Sequence, residues 1–363
     1  SHGYSITPKV LGLSGSKVYD GGSVVLASEL PTISGLIGSE TVVTGNQTTT
    51  STSLSTGARK NVANNVAVQS NASGITVSNG SNGGLAANYT LTGGTHQVNI
   101  TKAGVSVALS RQYDGSTNAS SNATDSNTSE TFSGLVGSET LTLSGQGSVS
   151  SKNYSASTQA VTLGSLAIGD QSGATGSSGG LASNYNFTSA TLAINKKVLN
   201  SNSSRVYNAT TTVAASDISL TNQISGETLV KGNTAATSSA NAGTYSISNL
   251  SGITISDEAG ASVSSGALAS NYTLTGGTHS FTINRKSVDI AGSRQYDGST
   301  NIVASDITGI TDTVNSETLT MSSGLGTTAS ANVGAYNLTD TSAGSLTLGN
   351  GVGGSAGLAA NYT

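Results

Sequence analysis

An internal repeat of about 90 residues constrains this chain more than any other feature of its sequence. A Tyr-Asp-Gly element recurs at intervals of 94, 94 and 89 residues, with Tyr-Asn-Ala as its third copy. Each copy is followed by a segment similar to Gly-Ser-Glu-Thr-Leu and then by an Asn-Tyr pair. The elements begin at Tyr19, Tyr113, Tyr207 and Tyr296, the glutamates are Glu40, Glu139, Glu227 and Glu317, and the pairs begin at Asn88, Asn184, Asn271 and Asn361. This period indicates a tandem array of domain-sized units, because short-rung solenoids repeat every ~20–30 residues.

These landmarks divide the chain into four repeats and a short segment before them. Residues 1–8 hold the last strand of a preceding repeat, since Tyr4-Ser5-Ile6 matches Phe281-Thr282-Ile283, and His2 is interpreted as a cloning remnant. We assign repeat 1 to residues 9–101, repeat 2 to 102–195, repeat 3 to 196–285 and a truncated repeat 4 to 286–363.

The composition leaves little material for catalysis or for binding charged polymers. Charged residues make up 9% of the chain, against about 25% in typical soluble domains, and cysteine is absent. The 14 Lys and Arg are spread thinly over a chain of net charge −4, so we expect no nucleic-acid partner. No apolar run approaches the ~18 residues of a membrane span, and we expect no membrane insertion. The sequence also lacks nucleophile, phosphate-loop and metal-ligand patterns, which predicts a non-enzymatic protein without cofactor or metal.

Within a repeat the residue pattern is that of β-strands. Apolar and polar residues alternate in Tyr272-Thr273-Leu274-Thr275 and again around Phe281 and Ile283, as on half-buried strands. We expect Gly276-Gly277 to be a two-residue primed turn that joins these strands as a hairpin. No Gly or Pro separates Ile283 from the first strand of the next repeat. The predicted fold is all-β: an elongated tandem array of about four β-rich domains, sandwich-like or grasp-like, stacked end to end as a rod.

All tyrosines except Tyr4 fall at three recurring positions of the repeats. A repeat of this size buries a modest core, so large aromatic side chains at fixed positions are expected to anchor it. The predicted structural core anchors are Tyr19, Tyr113, Tyr207 and Tyr296 of the first element, Tyr154, Tyr245 and Tyr336 of a central strand, and Tyr89, Tyr185, Tyr272 and Tyr362 of the Asn-Tyr pair. In repeat 1 the central-strand position is assigned to Ala67.

Two polar features are candidate sites with simpler structural interpretations. The aspartates of the first element could bind a hard cation, but Asp-Gly is typical of turns, and Asn208 keeps the turn without the charge. His96 and His279 have no second ligand nearby in the sequence and are interpreted as polar residues beside the turn. A third feature, Lys197 with Glu227 and Asn271, has the residue types of a spontaneous Lys–Asn isopeptide bond, although an exposed lysine and a strand-capping asparagine explain the same pattern.

The recurring elements together resemble a known family of bacterial repeats. The Tyr-Asp-Gly element, the Gly-Leu-x-Gly-Ser-Glu-Thr-Leu segment, the Asn-Tyr-Thr strand and the closing Thr-Ile-Asn-x-Lys are similar to the YDG/MBG (mostly-β, glycine-rich) repeats of filamentous-haemagglutinin-like surface adhesins. The resemblance implies an extracellular protein at the bacterial cell surface that takes part in attachment, aggregation or biofilm formation.

Two functions are compatible with this resemblance. In the first, the repeats are a rigid stalk that projects a binding element away from the cell. In the second, exposed Thr, Asn and Tyr side chains bind a carbohydrate or matrix polymer directly. The expected partners are an exopolysaccharide, a host glycan or another copy of the adhesin. Tyrosine exposure separates the two functions, because a tyrosine that stacks on a sugar must present its ring to solvent.

Overall fold

The computed structural model describes residues 2–48, 50–56, 60–121, 128–175 and 179–363. Within these ranges the regular structure is almost entirely β, and the longest helix is α1 (Asp340–Ala343), a single turn. The all-β part of the prediction is therefore confirmed. No helix in the described ranges is long and apolar enough to cross a membrane.

Each repeat consists of short strands. Those of repeat 1 are β1 (Lys9–Val10), β2 (Gly12–Val18), β3 (Val24–Val25), β4 (Thr32–Ser34), β5 (Val42–Asn46), β6 (Thr52–Ser53), β7 (Ala63–Ala67), β8 (Ile75–Asn79), β9 (Tyr89–Thr90) and β10 (His96–Thr101). Those of repeat 2 are β11 (Ala103–Gln112), β12 (Asn118–Ala119), β13 (Ser129–Ser133), β14 (Thr142–Ser144), β15 (Gly147–Ser148), β16 (Gln159–Ala160), β17 (Ala167–Gly169) and β18 (Tyr185–Asn195).

The second half of the chain follows the same plan. Repeat 3 contains β19 (Lys197–Val198), β20 (Asn200–Val206), β21 (Thr212–Ala214), β22 (Leu220–Thr221), β23 (Val230–Ala236), β24 (Gly243–Ser246), β25 (Ile253–Ser256), β26 (Tyr272–Thr273) and β27 (His279–Asn284). Repeat 4 contains β28 (Asp289–Gly292), β29 (Asn301–Val303), β30 (Ile307–Thr311), β31 (Leu319–Ser323), β32 (Leu325–Thr327) and β33 (Thr347–Asn350).

Short 3-10 helices connect many of these strands. One such turn precedes the tyrosine of every Asn-Tyr pair and ends at its asparagine, which delivers the tyrosine directly into an extended conformation. The 3-10 helices are Ala27–Glu29, Ala86–Asn88, Ala182–Asn184, Ala215–Asp217, Ser248–Leu250, Ala269–Asn271, Ala304–Asp306, Val314–Ser316 and Ala359–Asn361.

A four-stranded sheet brings together the first long strand and the last strand of each of repeats 1–3. Its orders are β4-β2-β10-β7, β13-β11-β18-β16 and β22-β20-β27-β24. The second strand in each order, here called the opening strand, lies parallel to the third, the closing strand. The closing strand is antiparallel to the fourth strand. Because a parallel pair cannot be joined by a tight turn, the rest of the repeat forms the connection between them.

Side-chain alternation determines which face of this sheet is buried. On the closing strand β27, His279, Phe281 and Ile283 are buried while the residues between them are not, which is the period of two that a strand imposes. Residues Val98 and Ile100 of β10 occupy the same positions and are also buried. The alternation seen in the sequence therefore marks the core face of the closing strand.

Smaller antiparallel pairs provide the other side of the core. In repeat 1 these are β3 with β6 and β5 with β8. The core of this region combines Leu13 and Val98 of the four-stranded sheet with Val25, Val42 and Ile75 of the smaller sheets. The repeat is thus a small two-layered β-structure, in agreement with a sandwich-like unit.

The predicted hairpin at Gly276-Gly277 is wrong. Strands β26 and β27 do not pair with each other: β26 lies parallel to β19, and β27 lies parallel to β20. In repeat 2 the corresponding residues form one continuous strand, β18, which pairs along its length with β11. Gly277 serves close packing instead, because a Cβ there would lie 1.9 Å from the carbonyl oxygen of Leu199, whereas Gly276 has a positive φ of 85°.

The assignment of the central-strand position also needs correction. In repeat 3, Tyr245 lies opposite Phe281, and the equivalent partner in repeat 1 is Val66 rather than Ala67. In repeat 2 that strand is β16, several residues after Tyr154. Irregular spacing between the landmarks hid this shift from the sequence comparison.

The described chain divides into two compact units. Unit 1 comprises residues 1–112 and 116–195, and unit 2 comprises residues 113–115 and 196–363. Unit 1 therefore contains most of repeats 1 and 2, and unit 2 contains repeats 3 and 4. Inside unit 1 a single residue, Lys102, separates the closing strand of repeat 1 from the opening strand of repeat 2.

Candidate functional site: the tyrosine–glutamate clusters

The tyrosine of the first element is held at the end of the opening strand. Tyr19 follows β2 directly, and its backbone N–H donates to the carbonyl oxygen of Thr101 at the end of the closing strand. Tyr207 follows β20 in the same way and donates to Asn284. The parallel pair thus fixes where each of these rings enters the structure.

In unit 1 the Tyr19 ring meets the glutamate and the second tyrosine of the following repeat. The Tyr19 hydroxyl donates to Oε1 of Glu139 at 2.6 Å, and the Tyr185 hydroxyl donates to Oε2 of the same carboxylate at 2.5 Å. The two rings meet edge to face, with centroids 5.7 Å apart and planes at 82°. One carboxylate therefore joins the tyrosines of two consecutive repeats.

The same arrangement is present twice in unit 2. Tyr113 and Tyr272 both donate to Glu227, and their ring centroids are 5.5 Å apart. Tyr207 and Tyr362 both donate to Glu317, at 2.9 and 2.6 Å, with centroids 5.4 Å apart. We call each group of two tyrosines and one glutamate a tyrosine–glutamate cluster.

Backbone groups complete the hydrogen bonding of the second tyrosine in each cluster. The N–H of Val136 donates to the Tyr185 hydroxyl oxygen at 3.0 Å, and the N–H of Val314 does the same for Tyr362 at 3.0 Å. Each of these hydroxyls thus donates one hydrogen bond and accepts another. Hydrogen bonds to a charged acceptor stabilise by ~1.5–3 kcal/mol each, and an edge-to-face ring pair adds ~0.5–1.5 kcal/mol.

The cluster environment raises the pKa of its tyrosines. Burial is the main cause and the Glu139 carboxylate the second, and together they raise the pKa of Tyr185 to about 12. Burial and the Glu317 carboxylate do the same for Tyr207, whose pKa is also about 12. The pKa of Tyr19 is raised further, by burial and by Glu139. All three hydroxyls therefore keep their protons far above physiological pH. They must do so, because the shared carboxylate can accept a hydrogen bond only from a protonated hydroxyl.

The asparagine before the second tyrosine makes an additional contact between repeats. In unit 1, Oδ1 of Asn184 accepts the N–H of Val62 at 2.9 Å, and its Nδ2 donates to Oδ1 of Asn61 at 3.0 Å. In unit 2, Asn361 makes the same two contacts with Ala242 and Asn241. Asn184 and Asn361 are at most 1% exposed. This side chain hydrogen-bonds a backbone N–H and an asparagine side chain of the preceding repeat, so its polar atoms are engaged in the junction.

The predicted core anchors divide into three groups. Buried rings are Tyr19, Tyr89, Tyr113, Tyr185, Tyr207, Tyr272 and Tyr362. Half-buried rings are Tyr154, Tyr245 and Tyr336. The third group is Tyr296 alone, which is 68% exposed. Among the described residues Tyr296 is therefore not a core anchor, unlike the other three tyrosines of the first element.

Half-burial of the central-strand tyrosines has a local cause. Tyr245 and Tyr336 each turn their hydroxyl back to a carbonyl four residues earlier, those of Asn241 and Asn332, at 2.7 Å. Both rings are half-buried, and Tyr245 packs against the buried core from its margin instead of lying inside it.

The aspartates of the first element close turns, as the structural interpretation predicts. Oδ1 of Asp20 accepts the N–H of Gly22 at 3.0 Å, and Oδ1 of Asp297 accepts that of Ser299 at 2.9 Å. Asn208 makes the same bond to Thr210 at 3.2 Å without a charge. The turn thus needs an Asp or Asn oxygen and has no requirement for a carboxylate.

The two equivalent histidines are built into the start of the closing strand. The Leu13 N–H donates to Nδ1 of His96 at 3.2 Å, so Nδ1 carries no proton, and Nε2–H donates to the Leu91 carbonyl oxygen at 2.8 Å. His279 contacts Ser201 and the Leu274 carbonyl oxygen similarly. Both rings are buried. They are deeper than the polar position beside a turn that the sequence suggested, and both nitrogens of His96 are used structurally.

The remaining candidate sites are a metal centre and the Lys–Asn cross-link. No group of three or more His, Asp or Glu that could hold a metal ion is present among the described residues. The carboxylate proposed to assist a Lys–Asn bond, Glu227, is engaged by the hydroxyls of Tyr113 and Tyr272. Lys197 aligns with Tyr272 through the backbone of the parallel pair β19–β26.

The sequence analysis found the members of the clusters but missed their partnership. Tyr19 and Glu139 are 120 residues apart and belong to different repeats. The available signal was the constant order of the three elements and the recurrence of a tyrosine, a glutamate and a second tyrosine in them. Nothing local to a single repeat indicates that its first tyrosine bonds to the glutamate of the next one.

Comparison with known proteins agrees with the repeat structure. The model of the YDG domain matches residues 95–193 and 192–280, which together cover just over half of the 363 residues. The matched region contains one complete tyrosine–glutamate cluster, that of Tyr113, Glu227 and Tyr272. A search of curated proteins gave no match. The chain belongs to the YDG domain family.

Proposed function

We propose that this chain is part of a stiff extracellular stalk of a bacterial adhesin, which holds a binding element at a distance from the cell surface. The observation that carries the proposal is the tyrosine–glutamate cluster. Inside unit 1, the cluster ties the end of the opening strand β2 to repeat 2 through the Tyr19–Glu139 hydrogen bond and the Tyr19–Tyr185 ring contact. A stalk needs couplings of this kind, because a flexible linker would let its domains swivel.

Bending at such a junction would be costly. Tilting repeat 1 against repeat 2 would pull the Tyr19 hydroxyl from Glu139 and separate the Asn184 side chain from Val62. It would also expose rings that are now at most 5% accessible to solvent, those of Tyr19 and Tyr185. Summed over the one hydrogen bond to a charged acceptor that crosses the junction, Tyr19 to Glu139, and the ring pair, the junction resists bending by on the order of 2–4 kcal/mol.

Tyrosine burial supports the stalk over direct carbohydrate binding. Seven of the predicted tyrosine anchors are buried and cannot stack on a sugar ring. Of the twelve tyrosines, two are strongly exposed, Tyr4 at 91% and Tyr296 at 68%. These two belong to different repeats and form no row along one face of a repeat.

Solution scattering tests the stalk directly. Four stacked repeats of about 90 residues would span roughly 150 Å, and a rod of that length has a radius of gyration of about 43 Å, whereas a compact globule of this length would have one of about 21 Å. The stalk proposal predicts the extended value at dilutions where the scattering no longer depends on concentration. A radius of gyration near the compact value would overturn it. A glycan-binding assay on the same sample tests the alternative function, which requires saturable binding.

A further inference from the structure

In repeat 2 the chain enters and leaves at opposite ends of one parallel strand pair. The opening strand β11 begins at Ala103, and a single residue separates it from the closing strand of repeat 1. The closing strand β18 ends at Asn195, and a single residue separates it from β19. Ala103 aligns with Tyr185 at one end of the pair, and Gln112 aligns with Asn195 at the other. A pull along the chain therefore acts on the first residue of β11 and on the last residue of β18.

This geometry determines how the hydrogen bonds between the two strands are loaded. Because the strands are parallel, pulling the start of one against the end of the other slides them along their common axis. The bonds of a parallel pair are evenly spaced, so they share this load and must break together. If both strands were pulled at the same end, the bonds would open one after another. The connection from β11 to β18 carries no tension until the pair has separated.

Neighbouring strands and the core hold the pair in place. In the sheet order β13-β11-β18-β16 both strands are internal, since each has a further strand on its outer side. Their core side chains are at most 5% exposed, and these are Val105, Val107 and Leu109 of β11 and Leu192 and Ile194 of β18. A strand that re-paired one residue further along would place these side chains on the opposite face of the sheet. Slipping into a new register is therefore opposed by the core as well as by the hydrogen bonds.

A bulge fixes the register of the pair near its start. Val105 aligns with Phe187, but the next residue of β11, Ser106, aligns with Ser189, so β18 contains one extra residue, Thr188. The Thr188 hydroxyl donates to the carbonyl oxygen of Val105 at 3.1 Å. Because a bulge pins the pairing of two strands, it adds to the resistance against sliding.

Repeats 1 and 3 contain the same parallel pair in a shorter form. β2 with β10 and β20 with β27 each align over six residue pairs, against ten for β11 with β18. Two short parallel pairs, β1 with β9 and β19 with β26, precede these ladders. The segments that contain Gly93 and Gly276 separate the short pairs from the longer ones. In repeat 2 the corresponding residues belong to the single strand β18.

We propose that each of repeats 1–3 is a tension clamp, in which the parallel pair of opening and closing strands holds the repeat closed against a pull along the chain. The inference rests on the stalk function, because the stalk of an attached cell transmits the pull on its binding element. It adds a load-bearing role within each repeat, whereas the tyrosine–glutamate clusters resist bending between repeats. Repeat 2 has the longest uninterrupted ladder and should be the strongest of the three.

Optical tweezers on the 363-residue chain test the clamp by pulling repeat 2 in two directions. The chain has no cysteine, so pairs of introduced cysteines attach the DNA handles at chosen residues. Lys102→Cys with Asn195→Cys pulls the pair at opposite ends and slides the strands. Lys102→Cys with Asn186→Cys pulls both strands at the same end, because Asn186 aligns with Gly104 near the start of β11. The three replaced side chains are exposed, so both chains should unfold at the same urea concentration.

The two directions should release the same length of chain but differ in force. Opening of repeat 2 should release roughly 270–300 Å in either case. Sliding breaks ten aligned residue pairs together, whereas the other direction breaks them in turn. With each hydrogen bond contributing ~0.5–1.5 kcal/mol, we expect sliding to need at least about twice the force.

A force ratio below that value, equal forces included, would overturn the proposal. The result is independent of the scattering test of the stalk. A compact radius of gyration would refute the stalk while leaving the two forces different, and an extended chain with equal forces would refute the clamp alone.

Discussion

Replacing Glu139 by alanine should destabilise unit 1 more than any other single carboxylate substitution in it. Tyr19 and Tyr185 donate to this carboxylate at 2.6 and 2.5 Å, and both rings are buried. Two hydrogen bonds to a charged group would contribute ~3–6 kcal/mol if fully shielded. Because Glu139 is half-exposed, solvent screening reduces this, and we expect a loss of about 2–4 kcal/mol.

Thermal unfolding followed by circular dichroism measures this loss. For a unit of this size, 1 kcal/mol shifts the melting temperature by ~2–4 °C, so the transition of unit 1 should fall by roughly 5–15 °C. Hydrogen exchange should show the weakening in β2 and β18, which end and begin at the two tyrosines. Glu139→Gln keeps the shape of the acceptor without its charge and should fall between alanine and the original residue.

Glu130→Ala is the matched control. Glu130 lies exposed on β13 of the same repeat, and surface substitutions of this kind stay within about 0.5 kcal/mol. If Glu139→Ala were as mild as Glu130→Ala, the carboxylate would not couple the two tyrosines, and the reasoning behind the junctions would be refuted.

Three further predictions follow from the same contacts. Tyr272→Ala, which removes a buried cluster ring, should cost ~3–5 kcal/mol, whereas Tyr296→Ala should leave the melting temperature of the dilute chain unchanged. Raising the pH should destabilise the fold between about pH 10 and pH 12. The cluster raises the pKa of Tyr185 in the folded chain to about 12. In the unfolded chain the same hydroxyl has its ordinary pKa of about 10 and therefore loses its proton at a lower pH. The free energy of unfolding should be constant below pH ~10 and should then fall by up to ~1.4 kcal/mol per pH unit for each such tyrosine. The urea concentration at the midpoint of unfolding measures this fall. A midpoint that stays constant would contradict the assigned burial. Melting curves with and without a calcium chelator should coincide, because the turn aspartates bind backbone N–H groups; a lower melting temperature with chelator would contradict that role.

The parts of the fold that depend on local pattern were predictable from the sequence. The alternation around Phe281 and Ile283 marked a strand with one buried face, and the Asp-Gly pairs marked turns. Both follow from the period of the strand and from side-chain chemistry within a few residues.

Parts that depend on distant partners were not predictable. Tyr272 and Phe281 read as two arms of a hairpin, since sequence neighbours separated by Gly-Gly commonly pair. In the structure the first arm pairs with β19 and the second with the opening strand β20, each about 75–80 residues earlier along the chain. The bond from Tyr19 to Glu139 spans 120 residues and two repeats. A single sequence specifies each side chain but does not specify which repeat supplies its partner.

Distances between spin labels in unit 1 test the central claim, that consecutive repeats are rigidly coupled, most directly. The chain has no cysteine, so Ser78→Cys and Ser144→Cys, both exposed, label repeats 1 and 2 without side reactions. The account predicts one narrow distance distribution for this pair, which Glu139→Ala broadens and Glu130→Ala does not. A broad distribution in the chain with intact Glu139 would contradict the account and would make these repeats independent domains on a flexible string.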